Sequence, residues 1–256
     1  MVSSALAHPE ETRLGRQFDN AGLQHGGKSG FRIIPVGADG FLLRMQMINA
    51  AERTLDLQYF IFRGDETGRL LTDAVLRAAD RAVRVRILTN SLESSSVLMA
   101  QAGYMHYRVP LLEDGVELYE IRSLLGNARG SGQSAAIPRY GNYSLHAKLF
   151  VFDRQRLFIG SMNFDQRSMH LNTEIGLIID SPELAQQVSA RFDAMAQLVN
   201  SYRLALRRND AGEIAGLLWR SQEGSQTLDY DVEPARSGWQ RIKVNFLSLL
   251  PLDKEL

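Results

Sequence analysis

Three short runs in this chain are too apolar to be loops, and what lies between them constrains the fold. TLDLQYFIF (54–62), VRVRILT (83–89) and VELYEI (116–121) read as strands. Between the first two, Leu70, Leu71, Val75 and Ala78 fall at helical spacing over 66–80, and 94–112 is helix-like before the third. This strand–helix alternation predicts an α/β fold with helices covering a sheet. The first run carries large apolar residues on both alternating faces, as burial on two sides requires. The second alternates Val83, Val85 and Ile87 against Arg84 and Arg86. Upstream, Asp39 is placed to cap a helix through FLLRMQMINAAE, with Leu42, Leu43, Met45, Met47 and Ile48 as its apolar face.

Residues 122–143 break the pattern. They are rich in Gly, Ser and Asn, and a loop of this length often serves as a lid or binding loop. From Ile121 to Phe152 there is no Asp or Glu, against Arg122, Arg129, Arg139 and Lys148. That excess suits an anionic ligand, and equally a solvated basic loop. Three further strand-like runs follow, LHAKLFVFD, RLFIGSMN and NTEIGLIID, then a helix from about Pro182 to Val199. Residues 1–30, ending in HGGKSG, read as a loosely ordered arm, and 31–256 as one domain.

Composition narrows the function classes. With 45% apolar and 23% charged residues the bulk of the chain is not disordered. Lys plus Arg and Asp plus Glu are 29 each, so no global field points at nucleic acid, and an anion must be held by a local site. The absence of cysteine excludes a thiol nucleophile, thiolate-bound zinc and iron–sulfur clusters. MVSSALAHPEETRLGRQF has no basic start or apolar stretch of the kind a signal peptide needs, and no run of 18 apolar residues occurs. A soluble, cytoplasmic or peripheral membrane protein is expected. VNFLSLLPL (244–252) reads first as a core element and second as a membrane contact.

The chemistry concentrates in YSLHAKLFVFDRQRLFIGSMNFDQRSMHLNTEIGLIID (143–180). If DRQR is a two-residue hairpin with Arg154 and Gln155 at its centre, Lys148 opposes Ser161 and His146 opposes Asn163. All four then share one sheet face. Lys148 supplies a fixed charge, and Ser161 and Asn163 supply neutral donors, which together suit the oxygens of a phosphate. His146 titrates near neutrality and can act as nucleophile or acid–base. Glu174, on the next strand, is placed to fix the imidazole tautomer.

The spacing H-x-K-x4-D-x6-G-S-x-N, formed by His146, Lys148, Asp153, Gly160, Ser161 and Asn163, resembles the HKD signature of the phospholipase D superfamily. Six fixed positions arise by chance roughly once in tens of millions of start points. The resemblance continues through LNTEIGLIIDSP (171–182), where the family places a glutamate supporting the motif histidine. It is nearest in kind to the bacterial cardiolipin synthase-like branch, through RVRILTNS (84–91), AGYMHYRVPLLEDGVELYEI (102–121) and LSLLPLDKEL. It implies a phospholipase D-like mixed β-sheet flanked by helices. It also implies phosphodiester exchange without metal or cofactor: a histidine nucleophile forms a phosphohistidine and a second histidine protonates the leaving alcohol. The expected substrate is a phospholipid such as phosphatidylglycerol. The resemblance gives Asp153 a structural role more than a catalytic one.

One departure stands out. That branch carries two HKD motifs in a chain of about twice this length, and here there is one. Residues 31–82 resemble the start of the first half and residues from 83 onward the interior of the second, with a seam near 80–84. None of His8, His25, His106 and His170 has a lysine two residues on. Single-motif members of the superfamily form two-fold homodimers, so a homodimer is expected of an active protein. The alternatives are a single-motif phosphodiesterase or nuclease, and an inactive remnant or partner module. Net neutrality makes nucleic acid the weaker partner.

Overall fold

The computed structural model describes residues 11–13, 16, 30–61, 64–125 and 143–250. Its centre is a ten-stranded mixed sheet. The strands are β1 (Gly30–Ile34), β2 (Thr54–Tyr59), β3 (Arg84–Asn90), β4 (Glu117–Ile121), β5 (Lys148–Phe152), β6 (Arg156–Gly160), β7 (Gly176–Asp180), β8 (Ser201–Arg208), β9 (Ile214–Glu223) and β10 (Gln226–Tyr230). Their order across the sheet is β1-β7-β6-β5-β2-β3-β4-β8-β9-β10. Only β2–β3 and β3–β4 pair in parallel. Both of these pairs are joined through helices, as parallel neighbours require.

The helices are α1 (Gly37–Ala50), α2 (Glu66–Asp80), α3 (Leu98–Met105), α4 (Arg108–Glu113), α5 (Gln166–His170), α6 (Pro182–Met195) and α7 (Gly238–Ser248). On one face of the sheet Leu55, Leu57, Val85, Ile87, Phe150, Phe152 and Phe158 pack with Phe41, Ile48, Leu71 and Val75 of α1 and α2. On the other, Val151 and Leu157 pack with Ala185 of α6, and Leu88 and Tyr119 pack with its Phe192. The sheet is covered on both sides, as the strand–helix alternation predicts. Among the described residues no helix is long and apolar enough to cross a membrane.

Several local expectations shift. Asp39 lies in the first turn of α1, which begins after Val36 and has no side-chain cap. The helix-like tract 94–112 holds two short helices, α3 and α4. Arg86 does not face solvent: it donates to both oxygens of Asp56 at 2.6 Å and to Asp193 of α6 at 2.5 Å. Arg129 and Arg139 lie outside the described residues. Arg122 donates to the Glu223 carboxylate at 3.0 Å and so is committed to β9. The passage 80–84, where the sequence suggests a seam, is the turn from α2 into β3, with Ala82 at φ 62°.

The β5–β6 turn differs from the expected two-residue hairpin. Phe152 pairs with Arg156 and Leu149 with Ile159, leaving a three-residue loop, Asp153–Gln155. The extra residue has a physical cause. The N–H of Asp153 donates to the carbonyl of Thr54, and its carboxylate accepts the N–H groups of Glu52, Arg53 and Thr54. Asp153 therefore serves β2 instead of the β5–β6 ladder. Asp153 and Arg154 adopt φ of 48° and 53° to close the turn.

Candidate active site

The register shift changes how the predicted residues meet. Continuing the β5–β6 pairing by one step sets Lys148 across from Gly160, so Ser161 and Asn163 fall beyond the strand. His146, Lys148, Ser161 and Asn163 are therefore not four neighbours on one sheet face, as a two-residue turn would have made them. They collect at one end of the sheet, where β2 and β6 finish and β5 and β7 begin.

At that end His146 is exposed and Lys148 is buried. The Lys148 Nζ lies 3.3 Å from His146 Nε2. Phe60 supports both: its ring centroid is 4.4 Å from the imidazole and 5.1 Å from Nζ. Its N–H donates to the carbonyl of Ala147, between them. Although the side chain is exposed, desolvation of part of its ring holds His146 below the ordinary histidine value, and the adjacent Lys148 charge lowers it further. Burial also lowers Lys148, opposed by the charges of Glu174 and Asp165.

Glu174 is buried just before β7. Its carboxylate accepts from Ser161 Oγ in a short bond and from Asn172 Nδ2 at 3.2 Å. Within this chain its partners are thus Ser161 and Asn172, where the sequence suggests His146. Ser161 Oγ in turn accepts the N–H of Ile175 at 3.0 Å, which ties the end of β6 to β7. Asn163 has a buried Oδ1 with no hydrogen-bond partner among the described residues, and its N–H donates to Ser168 Oγ. The motif glycine is needed for closeness: a Cβ on Gly160 would stand 2.6 Å from the carbonyl oxygen of Ile175.

Asp153 lies apart from this cluster. Four residues of β5 lie between it and Lys148, a separation of about 17 Å along the strand. It is fully buried, and burial raises its carboxyl above the usual range, opposed by the three N–H donors. It anchors β2 and does not reach the site.

The sequence does not reveal two supporting groups. Arg44, wholly buried on α1, lies over the rings of Phe158 and Phe164, with its guanidinium carbon 4.9 and 4.3 Å from their centroids. It donates to Tyr59 Oη, and both it and Tyr59 donate to the carbonyl of Met162, fixing the chain between Ser161 and Asn163. Asn90, at the end of β3, holds the backbone of Leu145. An arginine in a helical apolar stripe and an asparagine closing a strand carry no pattern that marks them. Among the described residues no three His, Cys, Asp or Glu side chains converge as a metal ion requires.

Comparison with known proteins gives the family. Residues 45–196 match the family described as cardiolipin synthase, PLD-like domain. Cardiolipin synthase C of Escherichia coli (strain K12) is 39% identical over 185 residues, 70% of this chain and 36% of that protein. The major cardiolipin synthase ClsA of Bacillus subtilis (strain 168) is 27% identical over 151 residues, 56% of this chain and 27% of that one. Among solved structures, the phospholipase D family member Nuc from Salmonella typhimurium aligns with a TM-score of 0.48 at 18% identity, over 65% of this chain and 93% of its own. The phosphatidylserine synthase of Haemophilus influenzae Rd KW20 aligns at 0.49 and 15%, over 65% and 36%. The chain spans about a third of the length of cardiolipin synthase C. The family match runs from within α1 to the end of α6 and takes in every residue of the cluster around His146, so this chain belongs to the phospholipase D-like family of the cardiolipin synthases.

Proposed function

We propose that this protein catalyses phosphodiester hydrolysis or transphosphatidylation on phospholipids, with His146 as nucleophile and Lys148 as phosphate ligand. The observation that supports this reading best is the 3.3 Å approach of Lys148 Nζ to His146 Nε2. An ammonium only donates, so Nε2 presents its lone pair and the neutral ring carries its proton on Nδ1. The lowered titration of His146 keeps that nucleophilic form populated. When phosphate oxygens take the Lys148 N–H bonds, Nε2 is released to attack.

In the first step Nε2 bonds to phosphorus and the bond from phosphorus to the leaving alcohol breaks. A second, protonated histidine gives its proton to the departing oxygen. In the second step water or an acceptor alcohol loses a proton to that histidine and attacks phosphorus, and the P–N bond breaks to restore neutral His146. Water gives hydrolysis, and phosphatidylglycerol as acceptor gives cardiolipin.

The second histidine comes, in this reading, from another copy of the chain. Among the described residues His106 Nε2 is engaged with the carbonyl of Ser248 at 3.0 Å, and His170 ends α5. A two-fold interface sets a residue near its own copy. Leu171 and Ile175, exposed on either side of Glu174, offer apolar surface for it.

The test incubates purified protein with phosphatidylglycerol, a choline phospholipid and single-stranded DNA, beside His146→Ala, and measures mass by ultracentrifugation. Lipid turnover abolished by the substitution, in a dimer, is expected. Turnover that survives His146→Ala rejects the mechanism, turnover by a strict monomer rejects the shared site, and activity on DNA alone replaces the substrate.

A further inference from the structure

Helix α7 carries a stripe of large apolar side chains that no described element covers. Trp239, Ile242, Phe246 and Leu249 recur at steps of three, four and three residues, which places them within about 100° of one another around the helix. They are 63%, 58%, 63% and 82% exposed, and Leu250 continues the stripe. A different face makes the attachment to the protein. There Val244 is wholly buried and packs with Leu247 against Leu92, Ala102, Leu98 and Met105. Gln240 Nε2 donates to the carbonyl of Leu92 at 2.8 Å. The helix is thus seated firmly by one face while presenting another.

We propose that this face of α7 docks the protein onto an anionic phospholipid surface. Three observations favour lipid over a protein partner. From Pro234 to Leu252 the chain contains Arg236, Arg241 and Lys243 and no Asp or Glu, so the segment that carries the stripe bears charge of one sign. Lys243 Nζ lies 5.9 Å from the centroid of the Trp239 ring, pairing a cation with an indole at the border of the stripe. An exposed indole and a lysine beside aliphatic side chains suit the boundary between headgroups and acyl chains. The third observation is position. α7 rests on the segment leaving the C-terminal end of β3, and this is the end of the sheet that carries His146. Met99 on α3 and Leu124 beyond β4 are exposed at the same end. Docking through α7 brings the reacting end of the sheet to the lipid that holds its substrate. The purpose of the contact rests on the phospholipid reading, while its physics depends only on α7.

Trp239 makes the test direct, because the chain has two tryptophans and the other, Trp219, is buried. Full-length protein is mixed with vesicles of phosphatidylglycerol and phosphatidylcholine, or of phosphatidylcholine alone, and followed by flotation and tryptophan emission. Co-flotation with the anionic vesicles, a blue shift and quenching by brominated acyl chains are expected. Phe246→Ser with Leu249→Ser should weaken binding about tenfold or more. Both positions are exposed, so a thermal melt should match the parent. Lys243→Glu should weaken binding to the anionic vesicles alone. Absence of flotation with unshifted emission overturns the proposal. So does a blue shift that needs no vesicles and tracks self-association, which assigns the face to a second copy. His146→Ala should float unchanged. Flotation without lipid turnover would reject the enzymatic reading and keep the docking surface, and turnover of micellar lipid without flotation would do the reverse.

Discussion

The side chain of Asn90 makes both backbone hydrogen bonds of Leu145: Nδ2 donates to its carbonyl at 2.9 Å, and Oδ1 accepts its N–H at 2.8 Å. Leu145 directly precedes His146 and lies before β5 begins, so a side-chain amide here replaces a ladder neighbour. Ser94 Oγ donates to the same Oδ1 at 3.1 Å and fixes the amide orientation. Asn90 is therefore a positioning residue. Asn90→Ala leaves two buried backbone groups unpaired and should cost about 2 kcal/mol of stability. It should lower kcat more than it raises KM and displace the His146 imidazole resonance. A destabilised variant with unchanged kcat and resonance would reduce Asn90 to a structural role.

The pairing of Lys148 with His146 predicts a pH response. The acidic limb of kcat/KM should fall below the ordinary histidine value of 6.5, because burial and then the Lys148 charge disfavour the protonated ring. Lys148→Met should raise the His146 titration only part of the way, since burial, the larger cause, persists. In stability the sign is that of a depressed base: its contribution is present above the unfolded value and is lost as pH falls through the folded one. NMR titration of the His146 ring, assigned by its disappearance in His146→Ala, measures this. An unchanged titration in Lys148→Met would show that the two groups are uncoupled.

Asp153 should behave differently from the other motif residues. Its carboxylate accepts three backbone N–H groups leading into β2, and Asp153→Ala removes the acceptor they share in a half-buried turn. The expected loss is about 3 kcal/mol, with a lower Tm. Asp153→Asn keeps an acceptor and tolerates the positive φ, so it should lose less. Turnover per folded molecule should persist in both, where His146→Ala abolishes it. Turnover lost from a fully folded Asp153→Asn would contradict the anchoring role.

What the sequence made legible follows from how locally each feature is encoded. The strands and helices from Thr54 to Ile121 carry their own periodicity, and α2 spans 66–80 as its spacing predicts. His146 and Lys148 meet because two positions on one extended strand share a face. The β5–β6 register was not readable, because the three-residue turn is set by Asp153 bonding β2, about a hundred residues earlier. Ser161 was expected as a neutral donor toward phosphate but donates to Glu174, which lies just before the neighbouring strand β7. The antiparallel extension β8–β10 and the exposed stripe of α7 lie where the sequence suggested no definite elements. The apolar segment at 244–252 read first as core, yet Val244 faces inward and Phe246 and Leu249 face out.

A buried charge network on β4, three strands across the sheet from Lys148 on β5, gives the last prediction. Glu120 and Glu233 both face the single guanidinium of Arg108. Glu120 Oε1 is 2.8 Å from Arg108 Nε, without the alignment of a hydrogen bond, and Glu120 Oε2 accepts from Trp219 Nε1 at 3.0 Å. Burial pushes the Glu120 carboxyl up to about 7; Arg108 opposes the shift and Glu233 adds to it. A raised acid favours the folded state fully below its unfolded value, and that contribution is lost as pH rises through the folded one. Stability should therefore decline from about pH 5 to about pH 8, by at most about 1.4 kcal/mol per pH unit for one proton. Glu120→Gln keeps the size and the acceptor for Trp219 but cannot ionise, so its urea midpoint should be flatter over this range and match or exceed the parent at the alkaline end. Parallel pH profiles for the two proteins would show that Glu120 does not titrate there.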